Sequence, residues 1–189
     1  MKVDEIRLLY DYNEWVDARF LAACAGVSPE QYAAPASIDA GRGGLRETMV
    51  HLLDNLWQWR ITFQGYYNEP LADEAAYDAT ELDEADFPTF AILQARWMEE
   101  QQELRAYIDA LTEETLNGTI RYVIPGTVRE FHVWVILLDI ILHAAQHRSE
   151  AAVLLTVYGR SPGDYDLTLF LKERARGKPE VDTTDRPVG

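Results

Sequence analysis

His143 and His147 stand four residues apart inside a long apolar stretch. On a helix, four residues advance about 40° around the axis and about 6 Å along it, so both imidazoles leave the same face. That geometry suits one divalent metal ion. Asp139, Gln146 and Glu150 lie at offsets of -4, +3 and +7 from His143, on or near the same face. A polar stripe on an apolar helix can also be no more than its wet side. Against this, two neutral imidazoles among apolar neighbours are costly to bury unpaired, and a metal satisfies both at once.

Two imidazoles hold an ion weakly, so further ligands are needed, and His51 is the best candidate. Its surroundings carry Thr48, His51, Asn55, Gln58 and Thr62 at spacings of three or four, an uncharged polar stripe beside an apolar one. Such a stripe suits the wall of a pocket better than open solvent. The competing reading is a core histidine satisfied by a backbone carbonyl. His132 is excluded by geometry: 11 residues before His143 it faces almost the same way but lies about 16 Å along the axis. Familiar metal sites can be set aside too. The metalloprotease pattern needs a Glu directly after its first His, where Ala144 stands. Di-iron bundles need Glu-x-x-His pairs, which do not occur. A closed structural zinc site usually draws on cysteine, and the only one, Cys24, is remote in sequence. Three histidines with open positions point to a catalytic or ligand-binding metal.

The elements that must position these residues follow from apolar spacing. Ile6, Leu9, Tyr10, Val16, Phe20, Leu21 and Cys24 recur at helical intervals over about Val3 to Ala25, with Gly26 as a stop. Ser28-Pro29-Glu30-Gln31 supplies an N-cap, a proline at the first helical position and a capping-box Gln, so a short helical turn should follow, ending at Pro35 before a loop to Gly44. A second long helix spans about Leu45 to Tyr66, with Met49, Leu52, Leu56, Trp59 and Phe63 as its core stripe. Asn68 to Asp86 is acidic and reads as a solvated connection, which implies a long crossover. The third helix covers about Pro88 to Leu111, with Phe90, Leu93, Trp97, Leu104 and Ile108 inward.

Then the period changes. Thr119 to Ile124 and Thr127 to Phe131 flank Pro125-Gly126 and predict a hairpin with a tight turn. The fourth helix spans about His132 to Tyr158 and is so apolar from Val133 to Ala145 that it must be covered on most sides, as the centre of the bundle or as a subunit interface. A last short helix is expected around Leu167 to Arg174. We expect a single helical domain over residues 1–176 and a polar, disordered tail over 177–189.

Composition narrows the partners. The chain has 189 residues, 48% of them hydrophobic, enough for one substantial core. Its 17 basic and 32 acidic residues give a formal net charge of -15, which repels a phosphate backbone and excludes nucleic acid as a natural partner. An anionic substrate would need a local device such as a metal ion or a single Arg. One cysteine fits a reduced setting. No apolar signal region opens the chain and no stretch reaches the roughly 20 apolar residues that span a bilayer, so a soluble cytoplasmic protein with no membrane partner is expected.

Leu45-Arg46-Glu47-Thr48-Met49-Val50-His51 with Trp57 and Trp59, followed by His143-Ala144-Ala145-Gln146-His147-Arg148, resembles the DinB/YfiT-like family of metalloenzymes. Tyr12-Asn13-Glu14-Trp15, the hairpin and the Gly159 to Leu169 segment also fit, so the resemblance covers about Leu8 to Leu171. It implies an all-α four-helix bundle of up-down-down-up type with the hairpin before the last long helix. It also implies a homodimer and a triad of His51, His143 and His147 binding zinc or nickel. Where the family often has Gly-Gln after His-Arg, this chain has Ser149 and Glu150, which adds a carboxylate near the site.

Relatives in that family include thiol-dependent S-transferases and an isomerase that use a low-molecular-weight thiol. The leading expectation is therefore a metal-dependent transferase or isomerase in which the ion favours the thiolate, the nucleophilic form. Asp139, Gln146 or Glu150 could orient an imidazole or shuttle a proton, and Arg148 could hold a carboxylate, so Glu150, Arg148 and Asp139 are the catalytic candidates. Two alternatives stay open: the same metal activating water for hydrolysis, and a non-catalytic dimer that binds metal or a small molecule.

Overall fold

The apolar spacing of α1 (Val3–Ala25) places Ile6, Tyr10, Val16, Phe20 and Cys24 on one buried face. In the computed structural model, which describes residues 1–36 and 42–176, this helix and three others make the bundle. The short α2 (Pro29–Ala33) starts at the expected capping box: Ser28 Oγ accepts from the Gln31 amide, and Gln31 Oε1 accepts from the Ser28 amide. Then come α3 (Leu45–Phe63), α4 (Glu74–Asp78), a 3-10 turn at Glu84–Asp86, α5 (Phe90–Asp109) and α6 (Glu113–Asn117). The hairpin β1 (Thr119–Ile124) and β2 (Thr127–His132) leads into α7 (Val133–Val157), and α8 (Leu167–Arg176) follows. The loop expected between Pro35 and Gly44 falls partly, and the tail expected over 177–189 falls wholly, outside the described residues.

Side-chain pairs set the helix directions. Tyr10 Oη donates to the Leu137 carbonyl and Asp17 meets Arg148, so α1 and α7 run parallel. Arg7 reaches the Asp109 carbonyl while Asp11 meets Arg105, so α1 and α5 are antiparallel. Arg60 pairs with Glu100, and Phe63 stacks on Tyr107 with centroids 4.6 Å apart, so α3 and α5 are parallel. The result is an up-down-down-up bundle in which α3 and α1 each pack between α5 and α7. The mostly helical fold with its one hairpin is the expected one. Among the described residues no helix is long and apolar enough to cross a membrane.

Local signals account for the joints. Pro125 followed by Gly126, at φ 71°, gives the proline-then-positive-φ order of a type II turn between the paired residues Ile124 and Thr127. The Val123 amide donates to the Tyr67 carbonyl and Trp59 packs against Tyr122 and Phe131, which ties the hairpin to the end of α3. Gly159 closes α7 at φ 70°: its amide reaches Thr156 and that of Arg160 reaches Leu155, the double bond of a Schellman cap.

One expectation needs correction. The Asn68 to Asp86 connection is not simply solvated. Trp57 Nε1 and Gln58 Nε2 donate to the Thr80 carbonyl, and the Leu82 amide donates to Asp54 Oδ1. Tyr67 is fully buried beside them. The acidic composition hid these few anchors, which pin the segment across α3. The stretch of α7 from Val133 to Ala145 is covered on most sides, with Leu142 at 60% its exposed large apolar residue, and further along the helix Val153 and Val157 are 47% and 57% exposed. Their stripe faces away from α1 and α3, the two long helices that α7 packs against.

Among the described residues, the one ion pair sealed inside the bundle joins α7 to α1. Arg148, 2% exposed, donates through Nη1 to Asp17 Oδ1 at 2.7 Å and through Nη2 to Asn13 Oδ1 at 2.8 Å. Removing either partner strands the other charge without water. Arg148→Ala or Asp17→Ala is therefore expected to lower stability by about 3–5 kcal/mol in urea unfolding, whereas the paired Arg148→Met/Asp17→Leu replacement loses much less. Equal losses for the single and paired changes would show that the pair itself is not what matters.

Candidate metal centre

His51 stands in the second turn of α3, and the start of that helix is fixed by a close backbone approach. Pro35 and Gly44 form an antiparallel bridge, and a Cβ at Gly44 would lie 2.6 Å from the Ala34 carbonyl oxygen. Only glycine lets the two strands of this bridge meet so closely. Because α3 packs antiparallel on α7, His51 is brought against His143 and His147, whose four-residue spacing puts both on one face. The three ring centroids lie 4.5 to 5.0 Å from one another.

One nitrogen from each ring falls within 4.8 Å of the other two. His51 Nε2 and His143 Nε2 are 3.1 Å apart. Two nitrogens on one tetrahedral ion, each at about 2.0–2.1 Å, sit about 3.3 Å apart, so this pair is near the separation that a shared zinc ion requires. Burial pushes His51 down to about 4, helped by the charge of Arg42 and by the other two imidazoles. Burial, followed by the neighbouring His147, lowers His143 as well. At neutral pH these rings are therefore deprotonated and offer lone pairs, the form a metal needs. The donor set fits a divalent metal ion.

Of Asp139, Gln146 and Glu150, it is Glu150 that meets an imidazole. Its Oε2 lies 2.6 Å from His147 Nδ1, which leaves Nε2 as the free nitrogen of that ring and holds its plane. His147 is 6% exposed, and His51 and His143 are half-buried, so the cluster is open on one side. Asp139 and Gln146 are exposed; Asp139 acts on His143 only through its charge. Arg148 turns the other way, and the carboxylate it holds is the protein's own Asp17. His132 is exposed at the head of α7, outside the cluster as its axial distance required.

A cavity of about 380 Å³ opens beside His51. Its wall on α3 is Glu47, Val50, His51 and Asp54, one step round the helix from the polar stripe expected to form it. That stripe has other work: Thr48 Oγ1 donates to the Gly44 carbonyl, Thr62 Oγ1 to the Gln58 carbonyl, and Gln58 ties down Thr80. The opposite wall comes from the crossover segment, including Glu81 and Asp83. Sequence reasoning missed these residues, because only the docking of that segment on α3 brings them near the histidines. Asp54 carried a usable signal, a charged residue one turn after His51.

Loss of the orienting carboxylate should loosen the centre without dismantling it. Glu150→Ala is expected to weaken zinc binding about 10- to 100-fold in a chelator competition. An unchanged affinity would show that Glu150 does not set the orientation of His147.

Comparison with known proteins bears on the same residues. No curated protein matches the sequence. A family model described as the DinB family matches residues 1–180, which takes in all four bundle helices and all three histidines. The chain belongs to the DinB family.

Proposed function

We propose that this protein is a metal-dependent enzyme whose centre of His51, His143 and His147 holds zinc or nickel and takes a low-molecular-weight thiol as cosubstrate, in a transferase or isomerase reaction. The observation that carries this reading is the convergence of three imidazole nitrogens within 4.8 Å at the edge of an open cavity. A divalent ion bound there supplies a Lewis acid that favours thiolate over thiol. His51 and His143 are kept deprotonated by burial, and Glu150 accepts the Nδ1 proton of His147 so that Nε2 is free. The chain brings no thiol of its own to the reaction. Its single cysteine, Cys24, is 1% exposed, and burial pushes the thiol up to about 12.

The open stripe of Leu142, Val153 and Val157 on α7 supports a homodimer built on that helix. Sedimentation should then show a dimer that Leu142→Glu/Val153→Glu converts to a monomer. A wild-type monomer at micromolar concentration would rule the dimer out.

Elemental analysis of the purified protein should find about one zinc or nickel per chain. His51→Ala should lose the metal while melting and circular dichroism stay close to wild type, because the ring is half-buried at the edge of the core. Metal-loaded protein should accelerate conjugation to an electrophile with at least one of glutathione, bacillithiol and mycothiol. No rate above the metal-free control with any of the three would overturn the transferase reading, and collapse of the fold on losing His51 would make the metal a structural pin.

A further inference from the structure

We propose that residues 163–176, α8 and the turn before it, form a strap that opens independently of the bundle, and that its closure seals the Arg148–Asp17 pair which aims His143 and His147. This rests on the reading of the three histidines as a metal centre. The strap is lightly held. Of the ten residues of α8, Phe170 alone is buried, and all the rest except Leu169 are exposed. Phe170 sits against the rings of Tyr12 and Trp15, with centroids 5.8 and 5.6 Å away. Trp15 Nε1 and Arg19 each donate to Glu173 at 3.0 Å, and Arg174 donates to Asp11 at 2.6 Å, all at the surface. Exposed charge pairs of this kind contribute little.

α8 also has little stability of its own. A helix this short falls below the roughly 12–15 residues that hold a helix in water, so it is folded only while docked. Its cap travels with it, because Asp166 Oδ1 accepts from the Leu169 amide. Gly163, at φ 75°, gives the joint a backbone conformation that costs glycine little. The Schellman cap of α7 lies before this joint, so the strap can lift without unwinding α7.

Tyr12 is where the strap meets the interior. Its hydroxyl donates to the Tyr165 carbonyl at 2.9 Å, and the Tyr165 ring lies edge-on to Phe20 at 5.1 Å. From the inner side, burial raises the Tyr12 hydroxyl against the pull of the Arg148 charge. Asn13, the next residue of α1, gives Arg148 both its carbonyl and its side-chain oxygen. The closed strap therefore helps to keep water from a guanidinium that is 2% exposed. Lifting Tyr165 and Phe170 bares Tyr12 and admits water to the pair. His147 points about 100° from Arg148 on α7, so a loosened Arg148 lets the helix roll and blurs the aim of the histidines.

Amide hydrogen exchange on the full, zinc-free chain tests the opening. The α8 amides should exchange at least about 100-fold faster than those of α3 and α5, and equal protection would overturn the strap. Phe170 belongs to neither cluster of the bundle core, so Phe170→Ala should strip α8 of its protection and leave α3 and α5 protected, with Phe170→Leu in between. The seal has a metal-free readout. In urea unfolding, Phe170→Ala should shift the unfolding constant about tenfold, but only about threefold or less on the Arg148→Met/Asp17→Leu background, where no buried charge is left to hydrate. Equal shifts on the two backgrounds would overturn the seal. Zinc reports on the same coupling: Phe170→Ala should weaken zinc about three- to tenfold in a chelator competition, and zinc should slow α8 exchange by the same factor, since coupling is reciprocal. Zinc affinity that is unchanged when α8 is released would overturn the link to the histidines. A wild-type chain that binds no zinc would sink the metal reading alone, and the urea comparison would still decide the strap.

Discussion

Arg148 can leave water only because Asp17 and Asn13 meet it inside the bundle, and much of the functional geometry depends on that pairing. Neighbouring helical residues point about 100° apart. Arg148 faces α1, so its neighbour His147 is turned toward α3 and His51. The ion pair thus acts as a rotational stop for α7. A small roll of this helix would strand a guanidinium, and the steep energy of that event keeps His143 and His147 aimed at one point.

The same economy of a few directed polar contacts recurs in the crossover. Its composition is that of a solvated linker, but Thr80 and Leu82 are caught by Trp57, Gln58 and Asp54 on α3. Trp57 is in turn flanked by the guanidinium groups of Arg60 and Arg96, which both pair with the buried carboxylate of Glu100 on α5. A chain of contacts therefore runs from the α5 side of the bundle to the wall of the cavity. Rigid walls of this kind lower the cost of ordering a ligand.

Burial at the centre is graded. His147 lies deepest and has a carboxylate behind it, whereas His51 and His143 are half in contact with solvent. Full burial of three imidazoles would close the coordination sphere, and full exposure would leave them protonated at mildly acidic pH. The intermediate position keeps lone pairs available and leaves a way in. Cys24 shows the opposite extreme, a thiol made inert by enclosure.

Much of the fold was legible because its signals are local. The spacing of Ile6, Tyr10, Val16 and Phe20 marks one helix face, Ser28 and Gln31 cap one another across three residues, and Gly159 takes the one backbone conformation that ends α7 cheaply. The pairing of His143 with His147 is local in the same sense, since helical pitch alone brings them together. What His51 meets, which carboxylate Arg148 holds, and which residues of an acidic connection line the cavity depend on how α1, α3 and α7 pack. Apolar periodicity tells a helix which face to bury but not which neighbour will cover it. The identity of the partners across α1, α3 and α7 was therefore decided only by the tertiary structure.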